Sequence, residues 1–344
     1  MRTGPTGRVM AMRVVALAVA AALRASPGAG QDPSPPKDGA VTSLTIFAGT
    51  TAGLRRSRNW GTSWEPVHGK GLEDLGAVRA IVPNAPRVHV GGDGGLYVSE
   101  DFGETWRRDY SEQAVLEIVP SRYPLADLTV FVATPLGLMA SDDGGRTLRP
   151  KPLLEGAVHR ILWPGPDLVL ATSAGVRVSK NSAVSFLPSG AGLPEGRVSA
   201  IAVSAFYSVD PALFAAVTGQ GVFRSADGAR SWTPAGLVGR TVNDLYWFGP
   251  ILYAATDGGF FQSVDEGRTW LPRSEGLGGR TATRILFPLA PASGAEAFLG
   301  TDRGVFWTGD GGLHWKATGL DAETVLCLAT FPPADVIINK KKKK

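Results

Sequence analysis

The chain of 344 residues contains one cysteine, Cys327. No intramolecular disulfide is open to it, and the fold has to rest on its core. Runs of helical period with caps at their ends are missing, which excludes an α or α/β chain and leaves an essentially all-β one. The four histidines, His68, His89, His159 and His314, stand far apart without metal-ligand spacing. A phosphate loop and a nucleophile elbow are missing too, so no metal site and no cofactor is expected. Lysine is scarce: apart from the terminal run Lys340 to Lys344 there are only five. The formal charge of +4 is therefore misleading. Arg2, Arg8, Arg13, Arg24 and the terminal run hold nine of the 35 basic side chains, and residues 31–339 carry 26 basic against 31 acidic ones, a net of −5. A mildly acidic body excludes a phosphate-binding surface and hence nucleic acid as a partner.

What is present begins with a leader. Arg13 precedes ten apolar residues, 14–23, and then a small-residue stretch ahead of Gln31. A bilayer-spanning helix needs about 20 apolar residues, so residues 1–30 read as a secretory signal peptide and the mature chain as a secreted or periplasmic protein without stable membrane insertion. Residues 31–41, rich in proline, form a linker. Residues 42–339 form the folded body, and residues 340–344 a lysine tail.

The body is built from one repeated unit. Ser99-Glu-Asp-Phe-Gly-Glu-Thr-Trp106 and Ser263-Val-Asp-Glu-Gly-Arg-Thr-Trp270 are its clearest copies. Variants start at Ser57, Ser141, Ser179, Ser225 and Thr308, and in all seven a glycine stands four residues earlier: Gly53, Gly95, Gly137, Gly175, Gly221, Gly259 and Gly304. The pattern is what a strand–turn–strand hairpin requires. Ser99 and Asp101 can accept bonds from the turn's own N–H groups, as can Asp143, Asp227, Ser263, Asp265 and Asp310 in their copies. Gly103 and Gly267 take positive φ without steric cost. Trp106, Trp232, Trp270 and Trp315 close the turns and pack back on the hairpin. These residues are structural, and their carboxylates are not acid–base catalysts. In the second copy four short strands are expected, at 78–82, 87–91, 96–99 and 105–108. Four strands in about 42 residues, seven times over, predict a seven-bladed β-propeller of antiparallel four-stranded blades. The strand around Cys327 follows the last turn and matches the innermost strands elsewhere, so it should complete the first blade and close the ring. Residues 335–339 resemble another second strand that would compete for the same place.

The turns resemble the Asp-box, or BNR repeat, Ser-x-Asp-x-Gly-x-Thr-Trp. Similar boxes occur in sialidases, xyloglucanase-like glycosidases, sortilin-type ectodomains and photosystem II assembly and stability factors. By size and bare blade organisation the chain is most similar to the last group and to related exported bacterial proteins. The sialidase Arg-Ile-Pro motif is matched only by His159-Arg-Ile-Leu-Trp163 and Thr283-Arg-Ile-Leu-Phe287, which lack the proline. The resemblance implies a non-enzymatic platform for a protein partner, and the chain is expected to be monomeric; the alternative the resemblance leaves open is a glycan-binding protein or a glycoside hydrolase.

The spacing of the boxes leaves little chain for catalytic loops holding two carboxylates over a sugar. The candidate site comes instead from the innermost strands. Aligned on Pro83, Pro164 and Pro288, they put Arg79, Arg160 and Arg284 in one column, with Leu116, Ser199 and Asn243 matching in other blades. Arginine forks there would suit a carboxylate, a sulfate or the acidic C-terminus of a partner, and the expected partner is a protein or a carboxylate or glycan ligand. The competing reading is that they pair between blades with Glu117 and Asp244. Two aromatic stretches, Tyr246-Trp-Phe248 and Phe206-Tyr207, serve either a ligand surface or blade packing.

Overall fold

The computed structural model describes residues 44–84, 86–121, 127–151, 156–288 and 296–331. The leader, the linker, the lysine tail and residues 335–339 lie outside them. The described residues contain strands and turns and no helix, arranged as seven four-stranded antiparallel sheets. Blade 2 shows the plan: Val78–Asn84 is the innermost strand, followed outward by Arg87–Gly92, Gly95–Ser99 and Arg107–Tyr110. Blades 3 to 7 begin with Glu117–Pro120, Val158–Leu162, Val198–Val203, Val242–Phe248 and Ala282–Leu286.

Blade 1 is assembled from both ends of the body. Thr45–Thr50, Gly53–Ser57 and Glu65–Pro66 are its outer three strands, and Val325–Phe331 is the innermost. The pairing runs from Thr45 opposite Phe331 to Gly49 opposite Cys327. The ring is thus closed by the C-terminal strand.

The second strand of each blade, and the third strand of every blade but the first, are buried almost throughout, which is why they read as short apolar runs of Val, Leu, Ile and Phe. The core is seven layers between blades. One layer joins Phe47, Val78, Val90, Tyr97 and Cys327 from blades 1 and 2; another joins Ala200, Phe214, Ala254 and Phe261 from blades 5 and 6. A single blade has no hydrophobic interior of its own. The glycines four residues before each turn motif all have positive φ, from 94° to 134°. At Gly95 a Cβ would also lie 1.9 Å from the Tyr110 carbonyl oxygen, so both conformation and space require glycine there.

The turns are locked by their own side chains. Ser99 Oγ donates to Asp101 Oδ1 (2.8 Å) and accepts from Gly103 N (2.8 Å); Asp101 accepts from Thr105 N (2.9 Å) and Thr105 Oγ1 (2.6 Å). The same bonds recur around Asp143, Asp227 and Asp265. In the divergent fourth blade Asn181 stands in for the aspartate, taking Ser185 N at 2.9 Å, while Ala183 adopts φ 64° and Ala229 of blade 5 adopts φ 72° where the five other copies have glycine. Asp310 takes His314 instead of a threonine, at 2.7 Å. Trp106 folds back as expected, its Nε1 donating to Gly103 O (3.2 Å). Trp270 and Trp315 reach further, donating to Ala235 O and Arg273 O of the preceding blade at 2.8 Å each, so they staple neighbouring blades as well.

The loops between first and second strands share one end of the ring with the turn motifs, as the bonds Phe102 N to Pro86 O and Gly228 N to Pro211 O record. This end is called the turn face. The hairpins between second and third strands and the links between blades form the opposite end, the hairpin face.

Candidate functional site

Each innermost strand enters from the hairpin face through the same local pattern. An apolar residue is followed by two variable positions and then by Ile or Leu: Val78-Arg-Ala-Ile81, Val115-Leu-Glu-Ile118, Val158-His-Arg-Ile161, Val198-Ser-Ala-Ile201, Val242-Asn-Asp-Leu245, Ala282-Thr-Arg-Ile285 and Val325-Leu-Cys-Leu328. The two apolar ends are anchored between blades, Val78, Val158 and Val198 completely. The strand registers skip one residue just after the first anchor, a β-bulge in blades 1, 2, 4, 5, 6 and 7. The first variable position is the bulged residue. The second faces a ring at the channel's hairpin end.

This register corrects the column read from the prolines. Arg79 is a bulged residue, equivalent to His159, Ser199, Asn243 and Thr283. Arg160 and Arg284 belong to the next position, with Ala80, Glu117, Ala200, Asp244 and Cys327. The physical reason is length: blade 2 has five residues from anchor to proline, Val78 to Pro83, where blades 4 and 7 have six. Aligning on the far end therefore shifted Arg79 by one place.

The bulged side chains stitch blades together. Ser199 Oγ donates to Val242 O (2.6 Å), Asn243 Nδ2 to Ala282 O (2.8 Å) and Thr283 Oγ1 to Val325 O (2.7 Å), each reaching the first anchor of the next blade. Asn243 is thus engaged in blade contact. Arg79 turns to Asp93 on its own blade at 2.9 Å and is well exposed. His159 contacts Ser173 Oγ at 3.1 Å. Burial, then Arg197 and Arg160, push its pKa down to about 4, so the ring is neutral near pH 7.

The ring reads in blade order Cys327, Ala80, Glu117, Arg160, Ala200, Asp244, Arg284. Arg160 donates to Glu117 (2.7 Å) on the preceding blade and to Asp244 (3.4 Å) two blades further on, passing over Ala200. Asp244 also accepts from Ile285 N at 3.0 Å. All three side chains are at most 22% exposed. Burial alone would weaken the Arg160 charge, and the two carboxylates outweigh it. Arg284 is treated differently. Its Nη1 donates to two backbone carbonyls, of Asn243 (3.2 Å) and Thr283 (2.8 Å). Burial, with Arg160 nearby, pushes its pKa down to about 10, still charged at neutral pH. Cys327, whose Sγ faces Val78 O, is buried, and burial pushes its thiol up to about 12. The sequence reading flagged Glu117 and Asp244 only as possible partners of the arginines. The Val-x-x-Ile spacing is the signal that unites all four charges.

The aromatic stretches mostly serve packing. Tyr246 lies on Phe287 (4.6 Å between ring centroids), Trp247 meets Phe214 edge-on (4.9 Å), and Tyr207 is buried; only the tips Phe206 and Phe248 are exposed. Among the described residues no group of three or more His, Cys, Asp and Glu gathers as a metal site would.

Fold and ring together define a seven-bladed propeller whose channel is bridged by fixed charges at one end. No protein-family model and no curated protein matches the chain. Solved structures do match in fold. YCF48 from Cyanidioschyzon merolae shares 14% identity with a TM-score of 0.57, over 79% of this chain and 96% of that one. YCF48 bound to D1 peptide shares 16% at a TM-score of 0.59, over 83% and 99%. The GH74 xyloglucanase from Xanthomonas campestris shares 14% at a TM-score of 0.63, over 80% of this chain but only 52% of the enzyme, so this chain spans about half the enzyme's length.

Proposed function

We propose that the protein is an exported, non-enzymatic binding platform that holds a polypeptide partner, in the manner of an assembly factor, on its hairpin face around the channel mouth. The observation that carries this reading is the extent of the match: the chain spans 99% of a single propeller that binds a peptide, and only 52% of a xyloglucanase. The turn carboxylates are committed to their own hydrogen bonds, and Glu117 and Asp244 to Arg160. That assignment supports a binding role over acid–base chemistry. The turns are Asp-boxes in this reading, and the leader directs export.

The test is site-specific photo-crosslinking in cells of the source organism, with probes at Val238 and Arg303 on the hairpin face and at Val184 on the turn face. A discrete polypeptide adduct from the hairpin-face positions alone is the expected result. Turnover of xyloglucan or a sialoside by the purified protein, abolished by one carboxylate substitution, would replace the platform by a glycosidase.

A further inference from the structure

Resting on the platform reading, one place in the ring points to the chemistry of what it holds. The ring contains two arginines and two carboxylates, yet the pairing is one-sided: Glu117 and Asp244 both contact Arg160. Among the described residues Arg284 makes no ion pair. Its hydrogen bonds leave through Nη1 to carbonyls of Asn243 and Thr283, and its Nε is buried without a partner. A buried N–H without an acceptor is costly, more so on a charged group. The neighbouring ring positions on the blade 1 side, Cys327 and then Ala80, bring no carboxylate. The unengaged edge of the guanidinium is the one formed by Nε and Nη2, two parallel donors whose spacing matches the two oxygens of a carboxylate.

We propose that Arg284 binds a single carboxylate, supplied by the ligand at the hairpin end of the channel. The second guanidinium, Arg160, adds attraction for an anion without being free to bind it, since its own donors are held by Glu117 and Asp244. A carboxylate fits better than a phosphate. With Glu117 and Asp244 in the same ring, a doubly charged group would meet more repulsion than one with a single charge. Two sources of a carboxylate are compatible with this chemistry, a small free acid and the C-terminus of a polypeptide.

The experiment uses the whole folded body and three probes: acetate, N-acetyl-tetra-alanine as the free acid, and the same peptide as its C-terminal amide. Binding is read from the Arg284 Nε–H resonance, assigned by its absence in Arg284→Lys, and from calorimetric titration at constant ionic strength. A saturable shift with acetate is expected, with the midpoint weakened at least tenfold in Arg284→Gln. A response to the free-acid peptide at least tenfold stronger than to the amide assigns the site to a chain terminus; acetate binding alone assigns it to a small acid. Arg284→Lys keeps the charge and loses the fork, so it supplies a folded control where Arg284→Gln does not fold. An Nε–H resonance that moves with neither acetate nor the free-acid peptide overturns the proposal. If acid and amide then still bind equally by calorimetry, the platform reading stands, with the peptide held through its backbone or side chains.

Discussion

Replacing Arg160 by methionine isolates what the ring does for stability. Methionine keeps most of the apolar stem and removes the cation that, among the described residues, touches both Glu117 and Asp244. Removing one partner of a buried ion pair costs about 3–5 kcal/mol, because the other charge stays behind unpaired. Here the side chains retain 14–22% exposure, which lets solvent screen part of the charge, so about 2–3 kcal/mol is the reasoned value. At roughly 2 °C per kcal/mol for a domain of this size, the midpoint of thermal unfolding should fall by about 4–6 °C. Urea unfolding checks the origin of the loss, since Cm should fall with m unchanged. The triple variant Arg160→Met, Glu117→Gln, Asp244→Asn removes the stranded charges and should recover more than half of the loss, a non-additivity only coupled residues produce. A penalty below about 0.5 kcal/mol, the range of an ordinary surface substitution, would refute the claim that Arg160 bridges the channel. So would a triple variant no better than the single one.

Other predictions concern the turns and the closing strand. Gly53 and Gly95 both have φ near 110°, but a Cβ at Gly53 meets nothing within 4 Å while one at Gly95 meets the Tyr110 carbonyl oxygen. Gly53→Ala should cost about 1 kcal/mol from backbone strain alone, and Gly95→Ala about 3 kcal/mol or more, measured by urea unfolding. The Asp101 carboxyl, held at about 2 by the Thr105 hydroxyl and N–H and by Ser99 Oγ, should show that midpoint in a carbon-detected NMR titration and move upward in Thr105→Val. Its contribution to stability is present above the ordinary aspartate value and lost as the pH falls through about 2. Burial keeps the Cys327 thiol near 12 from an ordinary 9.0, so at pH 8 its thiolate is about a thousandfold rarer than that of a free cysteine. Labelling by a thiol-specific disulfide reagent should therefore follow opening of the closing strand; rapid stoichiometric labelling of the native protein would contradict its burial.

Much of this architecture was legible because the turn motif is local. Ser99, Asp101, Gly103 and Trp106 act on one another within eight residues, so their pattern survives in the sequence wherever the turn forms. Ring closure was legible for a similar reason: the strand around Cys327 has an inner strand's pattern and no turn after it. The fourth strand of blade 2 was placed too early, at 105–108 instead of Arg107–Tyr110, because Thr105 and Trp106 belong to the turn. The ring was only half legible. Arg160 and Arg284 stood out as charges on apolar strands, but a bulge moves side chains from one position to the next without changing composition. Arg79 and Asn243 thus looked like members of the same column. Which carboxylate an arginine selects depends on how strands two blades apart face across a channel, and no spacing along the chain records that.

The closing strand also decides how the protein would respond to force. Thr45 and Phe331 are opposite each other at one end of an antiparallel pair, so the first and last described strands of the body end next to each other at the turn face. Tension applied through those ends would load the Thr45–Phe331 end first and peel the pair apart bond by bond, as a zipper opens, instead of shearing all its hydrogen bonds together. A load borne elsewhere on the ring would not find that line of weakness.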